Sequence, residues 1–293
     1  MQIKMIKKVF VLLSLLPLLP LSACGNTMQE SDMIQSTYFC ANESGYHCVL
    51  QSYEDIAAQA SGQTLHECWQ AASQQIENPA VFGLMDSVWI GKGLFYTDVV
   101  QIADLLQNEE IRFPALEVYY TENGDVSVND SVKGTRLTHM KNNDYSVILP
   151  SPQQNNCVLL HKEQAVRIEG TKAAFAMLLA GESAEFSAKV SYHNSEWQVT
   201  SGCTDWYVQA DSAKQALLCV QLCFAKGINL QTGQGMGNAQ CAALEEILGT
   251  ELKNTLALTG PLPYGIPARL KLQMPGLSPD VQIQCAVHLS KSI

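Results

Sequence analysis

The chain has 293 residues, 47% hydrophobic and 16% charged, with 18 basic against 28 acidic side chains and a formal net charge of −10. That apolar content is enough for packed cores and argues against a disordered chain. The acidic excess repels phosphate backbones and anionic headgroups, which argues against nucleic-acid binding and against a basic patch as the source of membrane affinity.

The first residues carry an export signal. Lys4, Lys7 and Lys8 precede an uncharged run of 13 residues, Val9 to Leu21, which ends at Leu21-Ser22-Ala23-Cys24. A run that short spans roughly 20 Å as a helix, less than a hydrocarbon core of about 30 Å, and Pro17 and Pro20 would break it. Residues 1–23 therefore read as a signal peptide and not as a transmembrane helix. The small residues directly before Cys24 resemble the lipobox of bacterial lipoproteins, in which that cysteine takes a lipid and becomes the new amino terminus. Cys24 is then the lipid-attachment residue, and two or three acyl chains such as palmitate anchor far more firmly than one. The expected location is the extracytoplasmic face of the cell membrane. Without residues 1–23 the balance is 15 basic against 28 acidic, a net charge of −13.

Residues 24–35 read as a tether, with structure beginning near Ser36. Thr37 to Cys40 and His47 to Tyr53 have strand composition around the turn signal Asn42 to Gly45. Thr64 and Glu67 are spaced as a capping box for a helix whose Leu65, Cys68, Trp69, Ala72 and Ile76 share one face before Asn78-Pro79. A strand at Asp86 to Ile90, a helix at Thr97 to Gln107 and a strand at Ala115 to Tyr120 follow. This order predicts a βαβαβ layer domain over residues 36–124.

Residues 125–157 are mostly polar, with short alternating runs such as Asp144 to Leu149, and read as a small β segment or connection. A second mixed α/β domain is expected over residues 158–293: a strand through Ala165 to Ile168, a helix from Lys172 to Leu179 closed by Gly181, and strands at Phe186 to Tyr192 and Trp197 to Thr200 around His193-Asn194-Ser195. Asp211 is expected to cap a helix ending at Lys226-Gly227, Ala239 to about Lys253 to form another, and Ala268 to Leu272 and Val281 to Leu289 to close the chain as strands. The fold class is α+β.

Chemistry-bearing motifs are few. Nine cysteines remain beyond Cys24, an odd number, and none has the paired CxxC spacing of a zinc site. Cys40 and Cys48 are candidates to cross-link the arms of the first hairpin, and Cys219 with Cys223 to share a helix face as buried hydrophobes. Gly233-Gln234-Gly235-Met236-Gly237 lacks a Walker lysine and the GxGxxG spacing, so it reads as a loop and not a phosphate cradle. His66-Glu67 lacks the second histidine of HExxH, and His47, His66, His139, His161, His193 and His288 show no ligand spacing. No GxSxG or SxxK serine is present. The expectation is a non-enzyme with no metal and no cofactor. Trp206-Tyr207, in an expected loop before Asp211, is a candidate contact for a partner, weighed against a buried packing pair.

Several stretches together resemble one family. They are Gly62-Gln63-Thr64-Leu65 through Trp69, Asn78-Pro79, Val88-Trp89-Ile90-Gly91-Lys92-Gly93, Ile102-Ala103-Asp104-Leu105 and Asn108-Glu109-Glu110-Ile111-Arg112. With Ile168-Glu169-Gly170-Thr171-Lys172-Ala173-Ala174-Phe175 followed by Leu178, Leu179, Ala180 and Gly181, they are similar to motifs of the Ger(x)C lipoproteins, the C subunits of spore germinant receptors. Where the family usually has Trp-Asp after the lipid cysteine this chain has Gly25-Asn26, it is shorter than usual, and the charged segment of its second half is reduced. The resemblance implies a non-enzymatic receptor component acting in spore germination at the inner spore membrane, beside an A subunit and a membrane-embedded B subunit. The alternative from another class is a solute-binding lipoprotein of an uptake system, and a weaker one is an extracellular hydrolase with a dispersed site.

Overall fold

The computed structural model describes residues 32–53, 55–78, 80–108, 116–124, 133–137, 146–152, 156–162, 164–181, 185–212, 214–258 and 282–290. The expected signal peptide over residues 1–23, Cys24, residues 25–31, His139 and the expected strand Ala268 to Leu272 lie outside them. The protein is α+β, with four helices and several sheets among the described residues. The chain enters as a short strand earlier than the expected start at Ser36: β1 (Asp32–Met33) runs parallel to β5 (Ala80–Val81).

The first large sheet has β2 (Ser36–Asn42), β3 (Gly45–Gln51), β4 (Ile56–Gly62), β6 (Ser87–Ile90), β7 (Glu117–Tyr120) and β8 (Thr135–Arg136), in the order β4-β3-β2-β6-β7-β8. Parallel β2, β6 and β7 form the expected βαβαβ frame, with helices α1 (Leu65–Ser73) and α2 (Tyr96–Asn108) on its crossovers. Strand β4 was not expected, because its sequence, IAAQASG, carries a single β-branched residue. It forms because β3 offers it an antiparallel partner along its whole length.

Local chemistry sets the ends of these elements. The β2–β3 turn closes with Asn42 Oδ1 accepting from Ser44 N at 2.8 Å and Gly45 at φ +125°, a value that L side chains rarely adopt. Thr64 Oγ1 caps α1 by accepting from Glu67 N at 3.1 Å, and Glu67 Oε2 accepts from Gln63 N at 2.9 Å. The capping box is thus real, but its return bond reaches one residue before the cap. At α2, Asp98 Oδ2 accepts from Phe95 N at 2.8 Å and Oδ1 accepts from the Tyr46 hydroxyl at 3.0 Å, which pins the helix start to β3. Alternation then separates the two faces of the sheet. Phe39, Ile90 and Tyr120 stand in one register row and join the buried core with Trp69, whose ring lies 6.0 Å from Phe39 and 5.1 Å from Phe82.

The residues expected as a small β segment or connection contain strand β9 (Ser146–Pro150), which overlaps the alternating run Asp144 to Leu149 and is buried along its whole length. It is joined by β10 (Asn156–His161) and β11 (Ala165–Glu169) in an antiparallel sheet of order β11-β10-β9. Side chains on its two faces go to different clusters. Val147, Leu149, Val158 and Leu160 complete the first core, while Ile148, Cys157, Leu159 and Ile168 pack with Ala173 and Ala176 of helix α3 (Gly170–Ala180). Gly181 closes α3 in the left-handed conformation, as expected, donating to Leu178 O at 3.0 Å.

Beyond α3, β12 (Phe186–Tyr192) and β13 (Ser195–Ser201) form a hairpin whose two turn residues, His193 and Asn194, have φ of 48° and 60°. β16 (Lys226–Asn229) extends this sheet beside β13. The remaining sheet has the order β14-β15-β17, built from β14 (Cys203–Ser212), β15 (Gln215–Cys223) and β17 (Gln282–Ser290), with β15 parallel to β17. Helix α4 (Asn238–Leu258) lays Leu244, Leu248 and Leu252 into the core behind it. The span expected as a helix, Asp211 to Lys226, instead holds the end of β14, all of β15 and the start of β16. Ala216, Leu218, Val220 and Leu222 alternate inward, and a short apolar run satisfies a helical and a strand period alike until its neighbours are known.

Candidate functional site

Among the described residues no group of three or more His, Cys, Asp or Glu side chains is placed to hold a metal ion, and no helix is long and apolar enough to cross a membrane. The structure scatters the histidines. His66 lies exposed on α1, His47 Nδ1 meets Ser61 Oγ at 3.1 Å across β3 and β4, His193 sits in the β12–β13 turn against the Tyr192 ring at 4.2 Å, and His288 is exposed on β17. Glu67 serves the α1 cap.

The glycine-rich loop is a hydrogen-bonded return from β16. Asn229 Oδ1 accepts from Gln231 N at 2.9 Å and Thr232 N at 3.0 Å, Gly233 N donates to Asn229 O at 2.8 Å, and Met236 N donates to Gly227 O at 2.8 Å. Amides already bonded within the loop are not available to a phosphate, so this segment is a structural turn.

The cysteine expectations separate in the same way. Register pairs Cys40 with His47 and Cys48 with Phe39, so Cys40 and Cys48 project from opposite faces of the sheet and cannot bridge. Cys48 is in the core, where burial pushes its thiol well above the ordinary value. Cys219 and Cys223 do share a face, but of strand β15 and not of a helix. Trp206 and Tyr207 belong to β14 and not to a loop: Trp206 packs partly against the second core, while Tyr207 points to the other face with 42% of its surface exposed.

The back of the six-stranded sheet carries an aromatic row absent from the sequence expectations. Tyr38, Trp89 and Tyr119 are register neighbours on β2, β6 and β7, with the Trp89 and Tyr119 rings stacked at 4.8 Å. The Tyr119 hydroxyl donates to Glu117 Oε2 at 2.5 Å, and Gly134 N donates to the same oxygen at 3.1 Å. Burial, followed by the Glu117 bond, pushes the Tyr119 phenol up, and burial followed by the Cys40 bond does the same for Tyr38. Both phenols hold their protons at neutral pH, and in the structure the Tyr119 hydroxyl is taken up by Glu117 within a stacked aromatic row.

One end of the same sheet is exposed and apolar. Gln35 N donates to Gln51 O, Ile34 N to Val81 O and Asp86 N to Gln35 O, which gathers the start of β2, the end of β3 and the β1–β5 pair. Met33, Tyr53, Ile56, Val81 and Leu84 lie there, between 38% and 67% exposed, with Met33 and Val81 in register as partners. Asp55 and Asp86 stand exposed beside them. Apolar side chains with an acidic rim fit a protein contact better than an anionic lipid surface. Sequence reading missed this patch because its members come from three separate stretches of the chain.

No family model matches the chain, and no curated protein matches it. Among solved structures it is similar to the crystal structure of the GerBC protein, with 10% sequence identity and a TM-score of 0.48 over 89% of this chain and 99% of that one. A likeness of that size says nothing of function, which has to come from the residues.

Proposed function

We propose that the chain is a membrane-anchored, non-enzymatic interaction component acting in spore germination, of the kind of the C subunit of a germinant receptor. Lipid on Cys24 would hold it at the extracytoplasmic face, beside receptor A and B subunits. The observation that carries the reading is the succession of motifs resembling the Ger(x)C lipoproteins along one chain that opens with a lipobox. Their places in the fold support it. Gly62 to Thr64 enters α1 through its cap, Val88 to Gly91 runs along β6 and just past it, Ile102 to Leu105 lies in α2, and Gly170 to Gly181 is α3 with its terminating glycine. The apolar end around Met33 and Val81 is the partner contact in this reading. It begins nine residues after Cys24, a span of at most about 30 Å when extended.

The test is cross-linking of the tagged, lipidated protein in its native membranes, followed by identification of the proteins recovered. A multi-spanning transporter-like protein together with a second receptor subunit is the expected outcome. Met33→Asp with Val81→Asp is expected to lower that recovery by about tenfold, the effect of roughly 1.4 kcal/mol at a contact, with lipid labelling of Cys24 unchanged. Recovery with an ABC permease would move the solute-binding reading to the front, and recovery of no partner would sink the receptor reading.

A further inference from the structure

We propose that Cys203 and Cys223 are a disulfide-forming pair that staples the mouth of the β14–β15 hairpin. The pairing depends on strand register and not on the function proposed above. Cys203 is the first residue of β14 and Cys223 the last of β15, and they stand directly opposite each other in the antiparallel register. Their side chains leave the same face, the one turned away from the second core, because Trp206 and Val208 on β14 and Leu218, Val220 and Leu222 on β15 take the other face. Opposed antiparallel residues have Cα atoms about 4.5–5.5 Å apart, inside the roughly 4.4–6.8 Å of natural disulfides. Their Cβ atoms need to close by about 1 Å, a movement within the twist of a strand end.

The neighbourhood already holds the two residues together. Ser201 Oγ lies 2.5 Å from Cys203 O and 2.7 Å from Cys223 O, so one hydroxyl hydrogen is shared between the carbonyls of both cysteines. Both thiols are free in the structure, Cys203 exposed and Cys223 half-buried, so a solution oxidant reaches them. Among the described residues, Cys219, Cys285, Cys48 and Cys68 are no rivals, each for want of reach or access. Cys219 is four strand positions from Cys223, about 13 Å. Cys285 faces the core, and Cys48 and Cys68, which share a hydrogen bond, are both sealed in the first core.

The reaction is thiol–disulfide exchange with a small disulfide. The Cys203 thiolate attacks one sulfur of the oxidant and expels a thiolate, leaving a mixed disulfide. The Cys223 thiolate then attacks the Cys203 sulfur and expels the second thiolate. The two cysteines give up two protons and two electrons, and the oxidant's S–S bond becomes two thiols.

The test equilibrates the full chain with oxidised and reduced glutathione, alkylates the remaining thiols and maps the peptides. The expected result is one linked peptide joining Cys203 to Cys223, the loss of two alkylatable thiols, and a higher Tm in the oxidised than in the reduced protein. Cys223→Ser is expected to stop at the glutathione adduct on Cys203, and the Cys203→Ser, Cys223→Ser double variant to melt independently of redox state. Full alkylation of both thiols after oxidation, a stable adduct on Cys203 with Cys223 present, or linkage of either cysteine elsewhere would each overturn the pairing.

Discussion

Cys157 shows how burial alone turns a cysteine into an alkaline liability. It is fully buried on β10, opposite Pro150 on one side and Ile168 on the other, and desolvation of its thiolate pushes its pKa from 9.0 up to about 12. Above pH 9 an unfolded chain gives up this proton while the folded one keeps it. Stability contributed by Cys157 is therefore complete below pH 9 and falls progressively from there toward pH 12. Denaturant midpoints between pH 8 and 11 should decline for the natural protein and decline less steeply for Cys157→Ala. Equal slopes would show that other groups govern the alkaline limb. At this scale much was legible: the Thr64 cap, the Asn42 and Asn194 turns and the Gly181 terminator all act within four residues of themselves. The fate of each cysteine was not, because spacing does not say on which face of which element a thiol emerges.

At the scale of elements, the corner between β15 and β16 carries backbone strain. Phe224 has φ 54°, a left-handed conformation that a bulky L residue adopts at a cost of about 1–3 kcal/mol, and the residue is 60% exposed, so burial offsets little of it. Phe224→Gly relieves the strain and adds roughly 0.5–1 kcal/mol of unfolded-state entropy, so a net gain of about 1 kcal/mol in chemical denaturation is the expected outcome. A loss would mean that Phe224 makes contacts worth more than the strain. Strand β15, which leads into that corner, is where sequence reading failed. Residues 215–223 read equally well as a capped helix, and the competition was settled by β14 on one side and β17, some sixty residues later, on the other. Strand β4 was missed for the complementary reason, since its weak local preference is overridden by pairing to β3.

For the whole molecule, the decisive contacts join segments far apart in the chain. Thr255 Oγ1 donates to Glu251 O at 2.8 Å within α4 and lies 3.4 Å from Lys172 O of α3, and Glu245 Oε1 on α4 accepts from Leu289 N at 2.7 Å. Leu248, fully buried between these ties, should cost about 2–5 kcal/mol when cut to alanine, read as a drop in the denaturant midpoint of the whole transition. Loss of that signal only in the second half, with the first core melting as before, would show the cores unfold separately.

Composition, charge and short-range pattern were sufficient for the α+β class, for the βαβαβ frame and for the caps and turns that bound its elements. Each of those features rests on interactions between neighbours in the chain or on the period of apolar side chains. The β14-β15-β17 sheet, the two-faced packing of β9 and β10, the aromatic row behind β6 and the apolar end around Met33 and Val81 needed the fold. They are made by residues tens of positions apart, and register decides which side chains meet: a shift of one residue would send every side chain of a strand to its other face.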